Sequence, residues 1–235
     1  MQRLNWDALN TTLRACDHCP RLVAHRERVA HAKRRAYRDW DYWGKPVPGF
    51  GDPQARLVLI GLAPGAHGSN RTGRMFTGDA SGNFLYAALH RAGLANQPTA
   101  QHADDGLQLR DVFITAICRC APPDNQPTRA EQANCLPYLA RELELLTRAR
   151  VVVALGRIAF DGYVRLLREQ GRVIPRVRFT HGAVYPLGDA LPTLIGAYHP
   201  SQQNTQTGRL TVAMFDAVIG VARAHAERAP GAERR

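Results

Sequence analysis

The chain has 235 residues, of which 45% are hydrophobic, and this excludes a mainly disordered protein. Its 31 basic and 20 acidic residues give a formal net charge of +11, which favours a polyanionic partner such as nucleic acid or an anionic membrane surface. The longest apolar runs are much shorter than a spanning helix, and the N-terminus lacks a secretory signal. We therefore expect a cytoplasmic location with no membrane partner.

Residues 1–50 predict a helical appendage followed by an aromatic loop. Apolar residues spaced for one helix face predict helices over 5–15 and 21–33, with Cys16-x-x-Cys19 in the turn between them. Residues 37–53 combine tryptophans and tyrosines with prolines and glycines, which predicts a loop packed on the main fold.

Beyond residue 50, short apolar runs alternate with helical segments. Strands are predicted over 56–61, 112–117, 151–155 and 193–197, and helices over 81–92, 128–148, after Gly156, and over 210–227. Buried strands that alternate with helices predict a parallel sheet covered on both faces. We expect a single α/β domain, a three-layer α/β/α sandwich with a mainly parallel four-stranded sheet over residues 51–228 and a frayed tail at 229–235.

Three motifs follow predicted strands, where functional loops of parallel sheets lie. The glycine-rich loop after Gly61 is neither a Walker sequence nor GxGxxG, so it is either a phosphate cradle or only a tight turn. Asp79 precedes a helix and is either a cap or a functional carboxylate. His199 follows the fourth strand and is either a hydrogen-bonded structural residue or a catalyst.

Four of the five cysteines form two pairs. Cys16 and Cys19 share one turn, and Cys120 and Cys135 follow the second strand. Four thiolates suit zinc or an iron–sulfur cluster, although the first pair also reads as plain helix-end thiols. Cys118 falls on the strand and is expected to be a buried, inert thiol.

The segments GLAPGAHGSNRTGRMFTGDASG, CRCAPPDNQP and HPSQQNTQTGRLT occur in that order with the four cysteines interleaved. In this combination the chain resembles the family 5 uracil-DNA glycosylases, the iron–sulfur branch of their superfamily, from residue 16 to about 221. The resemblance implies a monofunctional DNA-repair glycosylase that flips a deaminated base out of DNA and hydrolyses its N-glycosidic bond. It also implies a structural 4Fe-4S cluster held by Cys16, Cys19, Cys120 and Cys135.

The resemblance implies roles for the site residues. Related glycosylases outside this family carry a carboxylate or asparagine in the first loop, where this chain has Leu62 and Ala63. The catalytic carboxylate is therefore expected to be Asp79, with Asn125 bonded to it or to the attacking water, and His199 bonded to the leaving base. The expected substrate contacts are Gly61, Ala63, Phe76, Ala116 and His199, with Phe76 stacked on the flipped base.

The resemblance further implies that segment 201–209 presses on the minor groove, with Gln202 and Gln203 as candidate wedge residues. The expected DNA contacts are Asn70, Arg71, Arg74, Ser201, Gln202, Gln203 and Arg209, and Arg119 is a further candidate phosphate contact. Asn70, Arg71 and Arg74 also fit a solvated loop. A Schiff-base lyase is disfavoured, because neither Lys33 nor Lys45 lies in a motif.

Ala116 predicts substrate breadth. Related enzymes strict for uracil carry an asparagine at this position, so uracil, hypoxanthine and other altered bases are all expected substrates of a monomeric enzyme.

The first alternative function is a non-catalytic four-cysteine zinc protein that binds nucleic acid. The second is a nucleotide hydrolase, for which the loops offer no carboxylate cluster to hold a divalent metal. The preferred lesion, and the choice between single- and double-stranded DNA, stay open.

Overall fold

A six-stranded sheet runs through the computed structural model, which describes residues 5–228; the predicted tail 229–235 lies outside them. The strands are β1 (Phe50–Gly51), β2 (Leu57–Gly61), β3 (Val112–Ala116), β4 (Val151–Leu155), β5 (Val184–Tyr185) and β6 (Thr193–Ala197). Their order across the sheet is β1-β3-β2-β4-β6-β5. The four predicted strands are parallel and central, while β1 and β5 pair antiparallel at the edges.

The α/β fold is confirmed, whereas the expected number of four strands is wrong for the described chain. Both missed strands have only two residues, too few to show an alternating pattern. The helices are α1 (Trp6–Arg14), α2 (Pro20–Ala32), α3 (Ser69–Thr72), α4 (Ala80–Arg91), α5 (Arg129–Leu145), α6 (Arg157–Glu169), α7 (Gln202–Gln206) and α8 (Val212–Glu227). None of the helices within residues 5–228 combines the length and apolar character needed to cross a membrane.

Alternate side chains of the strands feed two hydrophobic clusters, one on each face of the sheet. Leu57 and Leu59 join the cluster that contains residues of α4 and α8. Val58 and Ile60 join the cluster that contains residues of α5 and α6. This alternation, with helices covering both faces, confirms the predicted three layers.

The N-terminal helices are fixed to the core at several points. The Trp6 ring lies 4.9 Å from the Phe113 ring, and Leu9 and Leu13 of α1 are buried. Arg21 of α2 donates two hydrogen bonds, of 2.8 and 2.7 Å, to the Glu131 carboxylate near the start of α5. These contacts hold both N-terminal helices against the core.

Candidate active site

A cleft of about 780 Å³ opens at the carboxyl ends of the parallel strands. Its walls come from the loops after β2, β3 and β6, as expected for ligand sites of parallel sheets. The sequence-predicted residues that line it are Ala63, Phe76, Asp79, Ala116, Asn125, His199, Ser201, Gln202 and Gln203. Residues separated by more than a hundred positions therefore meet in one site.

Asp79 is both a helix cap and a cleft residue. Its side chain accepts a 2.9 Å hydrogen bond from the Gly82 N–H at the start of α4. A Cβ added at Gly68 would lie 2.0 Å from Oδ2 of Asp79, and one at Gly65 would lie 2.9 Å away. The glycines of the first loop therefore make room for a carboxylate of the same chain, a role that the phosphate-cradle interpretation did not include.

Opposing effects set the charge of Asp79. Burial raises the pKa of its carboxyl, while the backbone N–H groups of Gly82 and Ser81 and the charge of Arg71 lower it. The capping hydrogen bonds thus favour the ionised carboxylate, whereas burial favours the protonated carboxyl group.

Phe76 lies between the first loop and His199. Its backbone has φ of 51°, and its ring centroid lies 5.7 Å from that of His199. A Cβ at Gly61 would lie 2.9 Å from the Phe76 ring. The expectation that Gly61 contacts substrate is therefore corrected, because Gly61 is buried and makes space for Phe76 instead of lining the cleft.

His199 follows β6 and is held through its backbone. The side chain of Asn204 in α7 donates a 2.9 Å hydrogen bond to the carbonyl of His199. Burial lowers the pKa of His199 to about 4, so the imidazole is neutral at physiological pH. A neutral imidazole can donate one N–H to a ligand without carrying a charge. The sequence pattern did not reveal Asn204, although it lies on the first turn after the HPS motif.

Asn125 reaches the cleft from a 3₁₀ turn, Pro123–Asn125, in which Asp124 and Asn125 have φ of 53° and 56°. Its side chain is exposed. No hydrogen bond in the described structure joins it to Asp79, so the expected direct partnership is not formed.

Arg71 is a structural cation inside the protein and does not line the cleft. It is buried, and its guanidinium donates 2.8 Å hydrogen bonds to the carbonyls of His67 and Gly78. It also packs on the rings of Tyr37 and Trp40, at 3.9 and 3.8 Å. The expectation that Arg71 contacts DNA phosphates is wrong, because these partners occupy it inside the protein.

The other loop contacts expected for DNA are corrected for the same reason. Asn70 is fully buried, and its Nδ2 donates to the carbonyl of Arg26 at 3.2 Å. Arg74 is buried, and its Nη2 lies 2.8 Å from each carboxylate oxygen of Asp105. Arg119 forms a buried ion pair with Glu142. None of these side chains faces solvent.

Segment 201–209 lies at the cleft with exposed side chains, as expected for a segment that contacts DNA. Gln202 and Gln203 are exposed at the cleft, and Ser201 caps α7. The Arg209 guanidinium is exposed and lies 4.8 Å from the centre of the Tyr198 ring. These placements allow contact with DNA, and the role stays a prediction.

The four predicted cysteine ligands line one pocket. Arg26 of α2 donates a 2.9 Å hydrogen bond to Sγ of Cys120, and Asn134 of α5 lies 3.6 Å from Sγ of Cys19. Within residues 5–228, no three His, Cys, Asp or Glu side chains are placed around a single metal ion. Four thiols in a largely apolar pocket with N–H donors to sulfur fit an iron–sulfur cluster.

Cys118 is fully buried, as predicted, although it lies two residues beyond the end of β3 and not on the strand. Next to it, Arg119 donates two hydrogen bonds to Glu142 of α5, and both side chains are 1% exposed. This ion pair fixes the loop that carries Cys120 to the helix that carries Cys135. No sequence pattern pointed to this ion pair, because an arginine in a loop is usually exposed.

Comparisons with known proteins place these features in a family. The model of the uracil DNA glycosylase superfamily matches residues 48–222. A Type-5 uracil-DNA glycosylase of Thermus thermophilus is 54% identical over 91% of this chain and 94% of that protein. A Type-5 uracil-DNA glycosylase of Mycobacterium tuberculosis is 53% identical over 90% of this chain and 78% of that protein. A Type-4 uracil-DNA glycosylase of Archaeoglobus fulgidus is 35% identical over 66% of this chain and 70% of that protein.

Proposed function

We propose, from the premise that this chain belongs to the uracil DNA glycosylase superfamily and within it to the Type-5 family, that it removes uracil from DNA. The reaction is hydrolysis of the N-glycosidic bond, which leaves an abasic site and an intact phosphodiester backbone. The observation that carries the proposal is the meeting of Asp79, Phe76 and His199 in one cleft.

In the proposed reaction the uracil nucleotide leaves the base stack and enters the cleft. The base stacks on Phe76, and the neutral imidazole of His199 donates an N–H to the oxygen on which negative charge develops. The glycosidic bond breaks with its electron pair on the base, and the ionised Asp79 stabilises the sugar cation. Water then bonds to C1′ and releases a proton, while the departed base anion takes up a proton.

The test is incubation of the protein with labelled oligonucleotides that carry one uracil, in the presence of a metal chelator. Hot alkali afterwards should break the strand at the uracil position, and omission of alkali should leave the strand intact. A thymine at the same position is the control. Absence of alkali-labile sites at enzyme excess, in both single- and double-stranded DNA, would refute the proposal.

We further propose that the site accepts hypoxanthine and other altered bases. Ala116 is 1% exposed and lines the cleft, so it presents a methyl group where an amide would recognise one base edge. An apolar wall discriminates between similar bases by about 10- to 200-fold, far less than a dedicated hydrogen bond does. Oligonucleotides with a single hypoxanthine should therefore be cut, and complete resistance at enzyme excess would refute the proposed breadth.

We also propose that Cys16, Cys19, Cys120 and Cys135 hold one 4Fe-4S cluster. When bound, the cluster would join the turn before α2 to the loop after β3 and to α5. Its role would be structural, because none of the four cysteines lines the cleft. The support is the chemistry of the donor set, with the Arg26 guanidinium directed at Cys120.

Metal analysis tests the cluster proposal. The purified protein should be yellow-brown and contain about four iron atoms per chain. Cys135→Ser should lose both iron and solubility, whereas Cys118→Ala should keep them. Stoichiometric zinc without iron after anaerobic purification would refute the cluster and favour the zinc alternative.

A further inference from the structure

One side of the cleft mouth carries a group of cations to which we assigned no role from the sequence. Segment 33–38, which follows α2, contains Lys33, Arg34, Arg35 and Arg38, and we call it the basic rim. Arg34 lines the cleft, and among the described cleft-lining residues it is the one arginine or lysine. Together with burial, its charge lowers the pKa of His67 in the same cleft.

The arginines of the basic rim are available to a partner. Arg34, Arg35 and Arg38 are exposed, and none of them forms an ion pair within residues 5–228. Lys33 differs, because its Nζ donates to the carbonyl of Arg38 at 3.2 Å. Two exposed carboxylates, Asp39 and Asp41, follow the rim without pairing to it.

The backbone of the basic rim is fixed to the cleft wall. Lys33 has φ of 52°, which ends α2 and turns the chain. The Tyr37 ring packs on the buried Arg71, and the Tyr42 hydroxyl lies 3.0 Å from the His67 ring and 3.4 Å from the backbone N–H of Arg34. The rim therefore presents exposed guanidinium groups from a fixed backbone position.

We propose that the basic rim binds the phosphates of the DNA strand that carries the target base, with Arg34 on a phosphate next to the flipped nucleotide. This proposal rests on the proposed glycosylase function. A nucleotide that enters the cleft stays joined to its strand through both phosphates, so these must lie at the cleft mouth. Guanidinium groups bind phosphates in a bidentate manner, and the rim supplies them where buried Arg71 and Arg74 cannot.

The test measures binding to a fluorescent duplex that contains a stable abasic-site analogue, by anisotropy at several salt concentrations. The triple variant Arg34→Ala/Arg35→Ala/Arg38→Ala is compared with Arg110→Ala/Arg148→Ala/Arg172→Ala. The control changes the net charge equally, and its arginines are exposed and lie outside the cleft. Arg110 lies two residues before β3 and Arg148 three residues before β4, at the end of the parallel strands opposite the cleft.

Each lost phosphate contact lowers the log–log salt slope by about 0.9. We expect a reduction of roughly one for Arg34→Ala and of roughly two to three for the rim triple variant, with the control triple close to wild type. If the rim and control triples match, the rim assignment fails while the glycosylase proposal stands. If wild type shows no salt-dependent binding to any duplex, DNA is not the partner and both proposals fail.

Discussion

The carboxylate of Asp79 occupies the space that a side chain at Gly68 would fill, since a Cβ there would lie 2.0 Å from Oδ2. The close approach of Asp79 therefore leaves no room for a side chain at Gly68. The glycine-rich loop and the cap of α4 therefore fit together as one unit.

Gly68→Ala should displace the Asp79 carboxylate and reduce the single-turnover rate of base removal by about 10²-fold, the scale of a 1 Å misplacement of a catalytic group. Binding to abasic DNA should be retained. Gly220→Ala is a control of the same chemical change, because Gly220 lies on the exposed face of α8 and nothing lies within 4 Å of a Cβ there. Equal rates for wild type and Gly68→Ala would show that the carboxylate does not need this position.

Asp79→Asn should lower the same rate by about 10²-fold or more, because an amide cannot stabilise a developing cation. Asparagine is as good a helix cap as aspartate, so the hydrogen bond to Gly82 can persist. If His199→Ala is inactive while Asp79→Asn cuts freely, the catalysis lies with the leaving group instead.

Asp79→Asn should lower the rate of base removal but should not lower the stability of the folded protein. Because burial raises the pKa of Asp79 in the folded chain, the folded state binds more protons than the unfolded state as that carboxyl titrates. Ionisation therefore lowers the free energy of unfolding as pH rises through that interval. The melting temperature of Asp79→Asn should equal or exceed that of wild type at pH 7, and the difference should shrink on acidification.

Arg71→Lys and Arg71→Met should both destabilise the protein, on the order of 3 kcal/mol, because buried hydrogen bonds and ring packing are lost. Only the methionine variant removes the charge that lowers the pKa of Asp79. The acidic limb of its pH–rate profile should therefore move to higher pH than in Arg71→Lys. The salt slope of DNA binding should stay at the wild-type value in both, and a fall of about one would make Arg71 a phosphate contact.

Ala116→Asn should narrow the substrate range by reducing hypoxanthine removal at least about tenfold relative to uracil removal. The added amide would project into the cleft that Ala116 lines. Ala116→Val fills space without an amide and separates steric from hydrogen-bonding effects. An unchanged ratio of the two rates in Ala116→Asn would place base discrimination elsewhere in the cleft.

The sequence predicted the central sheet and the edge at which the cleft opens, because apolar β-branched runs and the loops after them are local features. Long-range burial was not predictable in the same way. From the sequence alone, Arg71 is expected to be a solvated charge in a loop. In the structure it is covered by the rings of Tyr37 and Trp40, which lie some thirty positions earlier in the chain. Likewise, the partner of Arg119 lies 23 positions away on α5.

Helix α2 connects two distant parts of the molecule as a single rod. It begins directly after Cys19 and ends directly before Lys33, and its 13 residues span about 20 Å. Each residue of an α-helix turns the chain by about 100°, so one inserted residue would rotate everything beyond it. Tyr37 would then face away from Arg71. The exposed face of α2 can therefore vary in sequence, but its length is fixed by the two places that it joins.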